Sequence, residues 1–180
     1  MKRALVPGTF DPITEGHLDI VRRASQIFDE VIISIAESPD KGGHARLFTL
    51  EERVRLAKES TADLPSVRVE SFGDLLVNFA RRMDAKVIVK GLRAITDFEY
   101  EFQMTAMNYE IDREIETVFI MSPPKYMYLS SSIVREIARL NGPFKEFVSA
   151  PVFHALCGKY GLNEADVPAA AQSSAQRADV

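Results

Sequence analysis

The sequence has little of three features that would each indicate a particular class of protein. Its one cysteine, Cys157, cannot form an intramolecular disulfide, which excludes a disulfide-stabilised secreted domain. The 22 basic residues are outnumbered by 26 acidic ones, so no general positive charge attracts nucleic acid or an anionic membrane surface. No apolar run approaches the roughly 20 residues of a membrane-spanning helix. Any phosphate that this protein binds must therefore be held by a local site.

These absences also bear on location and organisation. The first apolar run, residues 4–6, is too short for the apolar region of a signal peptide, and we expect a cytoplasmic protein with no nucleic-acid or membrane partner. We find no internal repeat and no linker between domains. With 46% apolar residues in a chain of 180, the sequence is sufficient for one globular core.

Short apolar runs alternate with segments of helical spacing. The apolar residues from Leu18 to Phe28 recur at the spacing of an amphipathic helix. Thr49 and Glu52 form the sequence pattern of a capping box, which predicts a helix over residues 49–62. Five runs rich in Val and Ile predict buried strands at residues 4–6, 31–36, 67–69, 87–89 and 117–121. Together they predict a Rossmann-like, doubly wound α/β fold with a five-stranded parallel sheet, in which ligands bind at the carboxyl ends of the strands.

The last third of the chain departs from this alternation. A loop over residues 122–129 follows the fifth strand, and helical segments begin near Ser131 and Pro151. Residues 163–180 are rich in Ala, Ser, Gln and Asp and contain few large apolar residues, a composition typical of a disordered tail. We therefore expect one domain over residues 1–162, with C-terminal helices, and a disordered tail from residue 163.

The first predicted strand leads directly into a turn that could bind phosphate. Gly8 and Gly16 allow the backbone to approach a ligand, and the free amides at the start of the next helix favour an anion. His17 can donate an imidazole hydrogen bond, and the positive helix end favours its neutral ring. The hydroxyl of Thr9 can reach the same ligand. A lone histidine is more often a surface or capping residue, but the adjacent Thr14-x-Gly16 pattern favours the functional interpretation.

Cations and hydroxyls follow two later strands. Lys90 and Arg93 come after the fourth strand and could offset phosphate charge, although two cations at this spacing could also form a solvated face. Ser130, Ser131 and Ser132 open a helix after the fifth strand, where one serine would serve as an ordinary N-cap. Because these groups lie beyond the carboxyl ends of parallel strands, we expect them to meet His17 at one edge of the sheet.

At this point the motifs become specific to a family. Thr14-Glu15-Gly16-His17 resembles the T/H-x-G-H signature of the nucleotidyltransferase superfamily. Residues 7–14, 90–93, 97–101 and 129–135 occur in order and are similar to motifs of the phosphopantetheine adenylyltransferase family. The resemblance covers residues 2–160, which is most of the chain.

The resemblance implies a reaction and its partners. ATP and 4′-phosphopantetheine would give dephospho-coenzyme A and pyrophosphate, with Mg²⁺ held mainly by ATP phosphates and water rather than by protein ligands. The acceptor is a phosphate monoester, whose second pKa of about 6 leaves it mostly ionised near neutral pH, so no catalytic base is needed. The family also implies a homohexamer, a dimer of trimers, and feedback inhibition by coenzyme A.

The resemblance further implies a role for individual residues. The catalytic residues would be His17, Lys41 and Arg93. The ATP-binding residues would be Thr9, Phe10, His17, Gly91, Leu92, Arg93, Glu101, Tyr126, Met127, Tyr128, Leu129, Ser130, Ser131 and Ser132. The phosphopantetheine-binding residues would be Thr9, Lys41, Asp74, Leu75, Leu76 and Lys90.

Some of these assignments have simpler alternatives. On sequence alone Lys41 is a solvated loop lysine, Tyr126 is a loop aromatic, and Leu75 and Leu76 are equally suited to core packing. The chain also departs from the family pattern twice. Lys90 stands where the family often has arginine, which exchanges a bidentate fork for a point charge, and the loop over residues 41–48 is about three residues longer.

Two other functions remain open at this stage. One is a related nucleotidyltransferase with another acceptor, such as nicotinate mononucleotide or glycerol phosphate, against which residues 75–76 and 90–93 argue. The other is a non-catalytic sensor of nucleotide or coenzyme A, against which the presence of both His17 and Lys41 argues.

Overall fold

Five parallel strands form the centre of the computed structural model, which describes residues 1–37, 46–93 and 95–170. The order across the sheet is β3-β2-β1-β4-β5. The predicted five-stranded parallel sheet is therefore confirmed. The strands are β1 Arg3–Gly8, β2 Glu30–Ala36, β3 Val67–Phe72, β4 Val87–Leu92 and β5 Glu116–Met121.

Within the described residues, six α-helices connect and follow these strands. The predicted capping box forms, because the Glu52 N–H donates to the Thr49 hydroxyl at 3.2 Å and the Thr49 N–H donates to the Glu52 carboxylate at 2.8 Å. The first helix ends at Ala24, short of Phe28, which packs against the core from the turn before β2. The helices are α1 Glu15–Ala24, α2 Leu50–Ser60, α3 Leu76–Arg82, α4 Ile95–Ile111, α5 Ser131–Arg139 and α6 Ala150–Tyr160.

Both faces of the sheet are covered. Along β2, Ile33 belongs to a core cluster built with α1, α2, α5 and α6, whereas its neighbour Ile32 belongs to a second cluster built with α3. In β1, Leu5 likewise faces the second cluster. Successive residues of a strand point to opposite faces, so the middle of each of these two strands carries apolar residues on both faces.

The order of the sheet reverses beside β1. This strand pairs with β2 on one side and with β4 on the other. The chain extends the sheet from β1 to β2 and β3 in one direction, and then returns to add β4 and β5 in the other. In open α/β sheets a crevice forms at such a point, beyond the carboxyl ends of the strands. The turn after β1 and the residues after β4 border this crevice.

A buried arginine fixes the rim of the crevice. Arg53 of α2 is buried, and its Nη1 donates to the carbonyl oxygens of Thr9 at 2.7 Å and Ala36 at 3.0 Å. These residues follow β1 and end β2, respectively. Since a buried guanidinium is costly to leave without hydrogen bonds, Arg53 holds the two chain segments in a fixed relation.

The ordered chain continues beyond the predicted domain boundary at residue 162. Asn163 caps a short 3-10 helix, Glu164–Asp166, by accepting a hydrogen bond from the Ala165 N–H at 3.3 Å. Val167 then packs against the main core. A single apolar residue and a cap thus order at least the start of the segment whose composition indicates disorder, and residues 171–180 lie outside the described ones. No helix among the described residues is long and apolar enough to cross a membrane.

Leu156 tests how much α6 contributes to the core. Leu156 is fully buried, so Leu156→Ala should lower the free energy of unfolding by about 2–5 kcal/mol, through lost burial and the cavity that remains. Leu140→Ala makes the same chemical change at a side chain that is 65% exposed and should change it by less than about 0.5 kcal/mol. Urea denaturation measures both, and equal effects would show that α6 is not part of the core.

Candidate active site

The turn after β1 is shaped by contacts within the chain. A Cβ atom added at Gly8 would lie 2.8 Å from the ring of Phe10, and one added at Gly91 would lie 2.9 Å from Ile20 of α1. Phe10 itself has a φ of 50°, and its buried ring meets the ring of His17 edge-on at 5.1 Å between centroids. Gly8 was expected to make room for a ligand, but the structure requires it first for close packing of the chain.

His17 is held in one orientation by the residue that caps its helix. Its Nδ1 accepts a hydrogen bond from the Thr14 backbone N–H at 3.0 Å, and the Thr14 hydroxyl lies 3.0 Å from the same nitrogen. A backbone N–H can only donate, so Nδ1 carries a lone pair. In the neutral ring the proton is therefore on Nε2, which makes that nitrogen a hydrogen-bond donor.

The environment of His17 keeps its ring neutral. Burial, and secondarily the positive charge of Arg93, lower the pKa of His17 from 6.5 to about 4. Both act by disfavouring the imidazolium form. The sequence predicts a neutral ring from the positive helix end, whereas the causes found here are burial and the nearby guanidinium.

Two neighbouring clefts open at the crevice and share His17. The larger has a volume of about 560 Å³ and a mixed polar and apolar lining, and the smaller, about 370 Å³, is almost entirely polar. Both are lined by Thr9, Phe10, His17 and Arg93. Of the other residues predicted for the site, the larger cleft contains Leu76, Lys90, Gly91, Glu101 and Leu129, and the smaller contains Ser130, Ser131 and Ser132.

Lys90 and Glu101 lie against each other although they were assigned to different substrates. The Lys90 Nζ is 3.0 Å from the Glu101 Oε2, and both side chains are largely buried in the wall of the larger cleft. The lysine was predicted to bind the acceptor phosphate and the glutamate to bind the nucleotide. Their contact places the two predicted subsites side by side.

Other predicted residues lie outside the two clefts. Asp74 pairs with Arg82 on the surface, and this hydrogen bond lowers the pKa of its carboxyl. Leu75 is exposed at the start of α3, and Tyr128 is exposed in the loop before α5. Leu92, Tyr126 and Met127 also lie outside the residues that line them, and Lys41 lies outside the described residues.

The polar cleft contains three charged residues that sequence reasoning did not single out. Asp11 is buried, and its carboxylate accepts hydrogen bonds from the backbone N–H groups of Leu47 at 3.1 Å and Phe48 at 2.9 Å. Arg135 of α5 donates to the carbonyl oxygen of Asp11 and lies 3.2 Å from its carboxylate. Arg46 lines the same cleft. A signal for Arg135 was present, since it lies one helical turn beyond Ser131.

Two of the three serines already have partners in the protein. The Ser130 hydroxyl accepts from the Ile133 N–H at 3.2 Å and so caps α5, and the Ser131 hydroxyl donates to the Pro12 carbonyl oxygen at 2.7 Å. Arg93 donates to the Leu129 carbonyl oxygen at 2.8 Å. These bonds join the turn after β1, the residues after β4 and the start of α5 into one rim.

The titration of His17 can be measured directly. In the protein without ligands, the ring signals of His17 in an NMR titration should have their midpoint near pH 4. The folded pKa lies below the ordinary value of 6.5, so the unfolded chain binds this proton first, and His17 should cost stability as the pH falls from about 6.5 towards 4.

Arg93→Ala is the matched variant for this titration. It removes the nearby positive charge and leaves the burial, so the midpoint for His17 should rise but stay below 6.5. A midpoint near 6.5 in the unaltered protein would contradict the buried, neutral ring.

Comparison with known proteins places the chain in a family. It matches the cytidylyltransferase-like family over residues 5–137. A protein of Clostridium novyi (strain NT) named phosphopantetheine adenylyltransferase is 50% identical over 161 residues, which is 89% of this chain and 98% of that protein. Its namesake in Moorella thermoacetica is 52% identical over 162 residues, 90% of this chain and 99% of the relative.

Two solved structures share the fold at low sequence identity. A bifunctional NMN adenylyltransferase/ADP ribose pyrophosphatase from Francisella tularensis has a TM-score of 0.68 at 16% identity, over 91% of this chain and 51% of its own. A candidate nicotinate-nucleotide adenylyltransferase from Vibrio parahaemolyticus has a TM-score of 0.65 at 17% identity, over 87% of this chain and 99% of its own. From the family match and the identity with the curated relatives, the chain belongs to the cytidylyltransferase-like family and, within it, to the phosphopantetheine adenylyltransferases.

Proposed function

We propose that this protein transfers AMP from ATP to 4′-phosphopantetheine, giving dephospho-coenzyme A and pyrophosphate. The observation that carries the proposal is the identity of 50% and 52%, over nearly the whole length, with relatives named phosphopantetheine adenylyltransferase. The arrangement of two clefts around His17 supports it, because the reaction brings two phosphate-bearing substrates to one phosphorus atom. The single, buried cysteine is compatible with the reducing cytoplasm.

The clefts suit different parts of the substrates. The polar cleft, with its serines, its arginines and the start of α5, suits the β- and γ-phosphates of ATP. The larger cleft has apolar walls that include Ile20, Leu76 and Met104, which suit the pantetheine arm and the nucleoside. The α-phosphate then lies between them, beside His17 and Arg93.

In this mechanism His17 acts as a hydrogen-bond donor and not as a base. Its Nδ1 lone pair is used by Thr14, so only the protonated Nε2 is available to a ligand. Donation to an α-phosphate oxygen stabilises charge that grows in the transition state. The acceptor phosphate is already mostly ionised, since its second pKa is about 6, and the protein supplies position rather than proton removal.

The cations of the crevice would share the phosphates. Arg93 lines both clefts, and Lys90 lies in the larger one, so we assign the transferring phosphate to Arg93 and the acceptor phosphate to Lys90. Lys41 joins them in this proposal by resemblance alone. In this proposal the contribution of the three cations is electrostatic and geometric.

Magnesium would be held chiefly by the triphosphate oxygens and water. Among the described residues, no group of three or more His, Cys, Asp or Glu side chains lies together as a metal site. The Asp11 carboxylate at the polar cleft is already engaged by two backbone amides and Arg135. A hard cation that keeps most of its waters fits this donor set, and it would reduce the negative charge on the leaving pyrophosphate.

Pyrophosphate release tests the proposed reaction. The wild-type protein with ATP, Mg²⁺ and 4′-phosphopantetheine should release pyrophosphate, and His17→Ala should slow release by about 100- to 1,000-fold, through loss of a transition-state donor. His154→Ala is the matched control, because this exposed histidine of α6 pairs with Glu164 and does not line either cleft, so its loss should leave the rate unchanged.

The outcomes separate the function from its mechanism. No release by the wild type, or faster release with nicotinate mononucleotide or glycerol phosphate as the acceptor, would contradict 4′-phosphopantetheine as the acceptor. Binding of ATP without any release would favour a sensor. Full activity of His17→Ala would be compatible with the proposed reaction and would contradict only the role of His17.

We further propose that the protein assembles as the homohexamer that its family resemblance implies. An apolar surface supports this: α4 exposes Phe102, Met107 and Tyr109, and the edge strand β5 exposes Val118 and Met121. Exposed apolar side chains on a helix, and on a strand at the edge of the described sheet, are typical of a protein-protein contact. Coenzyme A has the same pantetheine arm as the acceptor, and we propose that it inhibits by competing for the larger cleft.

Sedimentation tests both the assembly and this surface. The wild type should sediment at six times the 20.1 kDa of one chain, and Met107→Glu should give smaller species, because it places a charge on a side chain that is 57% exposed within the apolar surface. Ile27→Glu makes a comparable change at an exposed position before β2 and should leave the mass unchanged. A monomeric wild type would contradict the hexamer, and a hexameric Met107→Glu would contradict this surface.

A further inference from the structure

The lining of the polar cleft includes a cation, Arg46, to which no individual role has been assigned so far. Its lining includes the guanidinium groups of Arg46, Arg93 and Arg135, and Asp11 is the carboxylate among the lining residues. The ring of His17 is neutral, since its pKa is about 4. The lining thus has an excess of two positive charges in a cleft of about 370 Å³, which suits a small ligand with several negative charges.

Asp11 holds two sides of this cleft in place. Its carboxylate accepts the N–H groups of Leu47 and Phe48 on one side and lies 3.2 Å from Arg135 on the other. The first two bonds fix the backbone directly after Arg46. Arg46 therefore belongs to a backbone segment held in position before any ligand binds, and a cation placed in advance loses less entropy on binding than one on a free loop.

Arg46 is one of several charged side chains around Arg53 of α2, where Asp11 and Glu51 act against its effect. It lies near a second cation, the buried Arg53, whose pKa is lowered by burial and then by the charge of Arg46. Arg53 donates to the carbonyl oxygens of Thr9 and Ala36, and of the two arginines it is Arg46 that lines the polar cleft.

We propose that Arg46 binds the β- and γ-phosphates of ATP and, after transfer, the pyrophosphate product. The same cleft is lined by Ser131 and Ser132 at the N-terminus of the nine-residue helix α5, so a guanidinium and a helix start would both contact the phosphates. This assignment of Arg46 rests on the proposed function only because it requires ATP as a substrate. It does not depend on which acceptor receives AMP. It makes Arg46 a specificity residue for the triphosphate over the monophosphate.

Binding of three ligands to Arg46→Ala tests the proposal. Calorimetry with Mg²⁺-ATP, Mg²⁺-pyrophosphate and AMP should show about tenfold or more loss of affinity for the first two, the effect of losing a charge-assisted phosphate contact. Affinity for AMP, which has no β- or γ-phosphate, should change less than about twofold. Arg46→Lys keeps the charge without the fork and should recover part of the loss.

Arg55→Ala is the matched control. It removes the same group from the exposed side of α2, where Arg55 pairs with Glu59 at 3.1 Å, and it should leave all three affinities unchanged. Thermal unfolding with each variant would show whether the fold is kept.

The two ways of failing are distinct. If Arg46→Ala binds ATP and pyrophosphate as tightly as the wild type, Arg46 is not a polyphosphate contact. The same conclusion follows if its affinity for AMP falls as much as its affinity for ATP. A wild type that binds ATP but does not turn over 4′-phosphopantetheine would instead overturn the proposed acceptor and leave the assignment of Arg46 intact.

Discussion

The rim of the site depends on one buried cation and one buried anion, each bound to backbone. Arg53 holds the carbonyl groups of Thr9 and Ala36, and Asp11 holds the amides of Leu47 and Phe48. A buried charge is costly unless it is hydrogen-bonded, so these contacts also determine where the chain can run after β1 and β2. The turn that carries His17, and the segment that carries Arg46, are placed by this arrangement.

The capping of α1 connects this rim to the chemistry. Thr14 both starts the helix and engages the Nδ1 of His17, so the local structure of the helix start decides which ring nitrogen can donate to a ligand. Burial and Arg93 then keep the ring neutral across the physiological range. Helix geometry, tautomer and charge state thus follow from a few adjacent residues.

The sequence predicted the parts of this molecule that depend on local patterns. It predicted the strands, the capping box at Thr49 and the turn that leads to His17. Each of these depends on a local property of the sequence: hydrophobic periodicity, a helix-capping pair or the spacing of glycines. It could not predict that Gly8 makes room for Phe10, or that Asp11 meets Leu47 and Phe48, because those contacts join residues brought together only by the fold. Nor could composition anticipate the packing of Val167, a single apolar side chain in a polar segment.

The ion pair between Lys90 and Glu101 has a thermodynamic consequence. A phosphate that binds Lys90 must compete with the carboxylate already 3.0 Å away, and the displaced carboxylate must find a new donor or repel the incoming anion. A nucleotide hydroxyl that donates to Glu101 would supply such a donor and loosen its hold on the lysine. Under the proposed function, in which Lys90 binds the acceptor phosphate and Glu101 the nucleotide, occupancy of either group would alter the affinity of the other by the same factor.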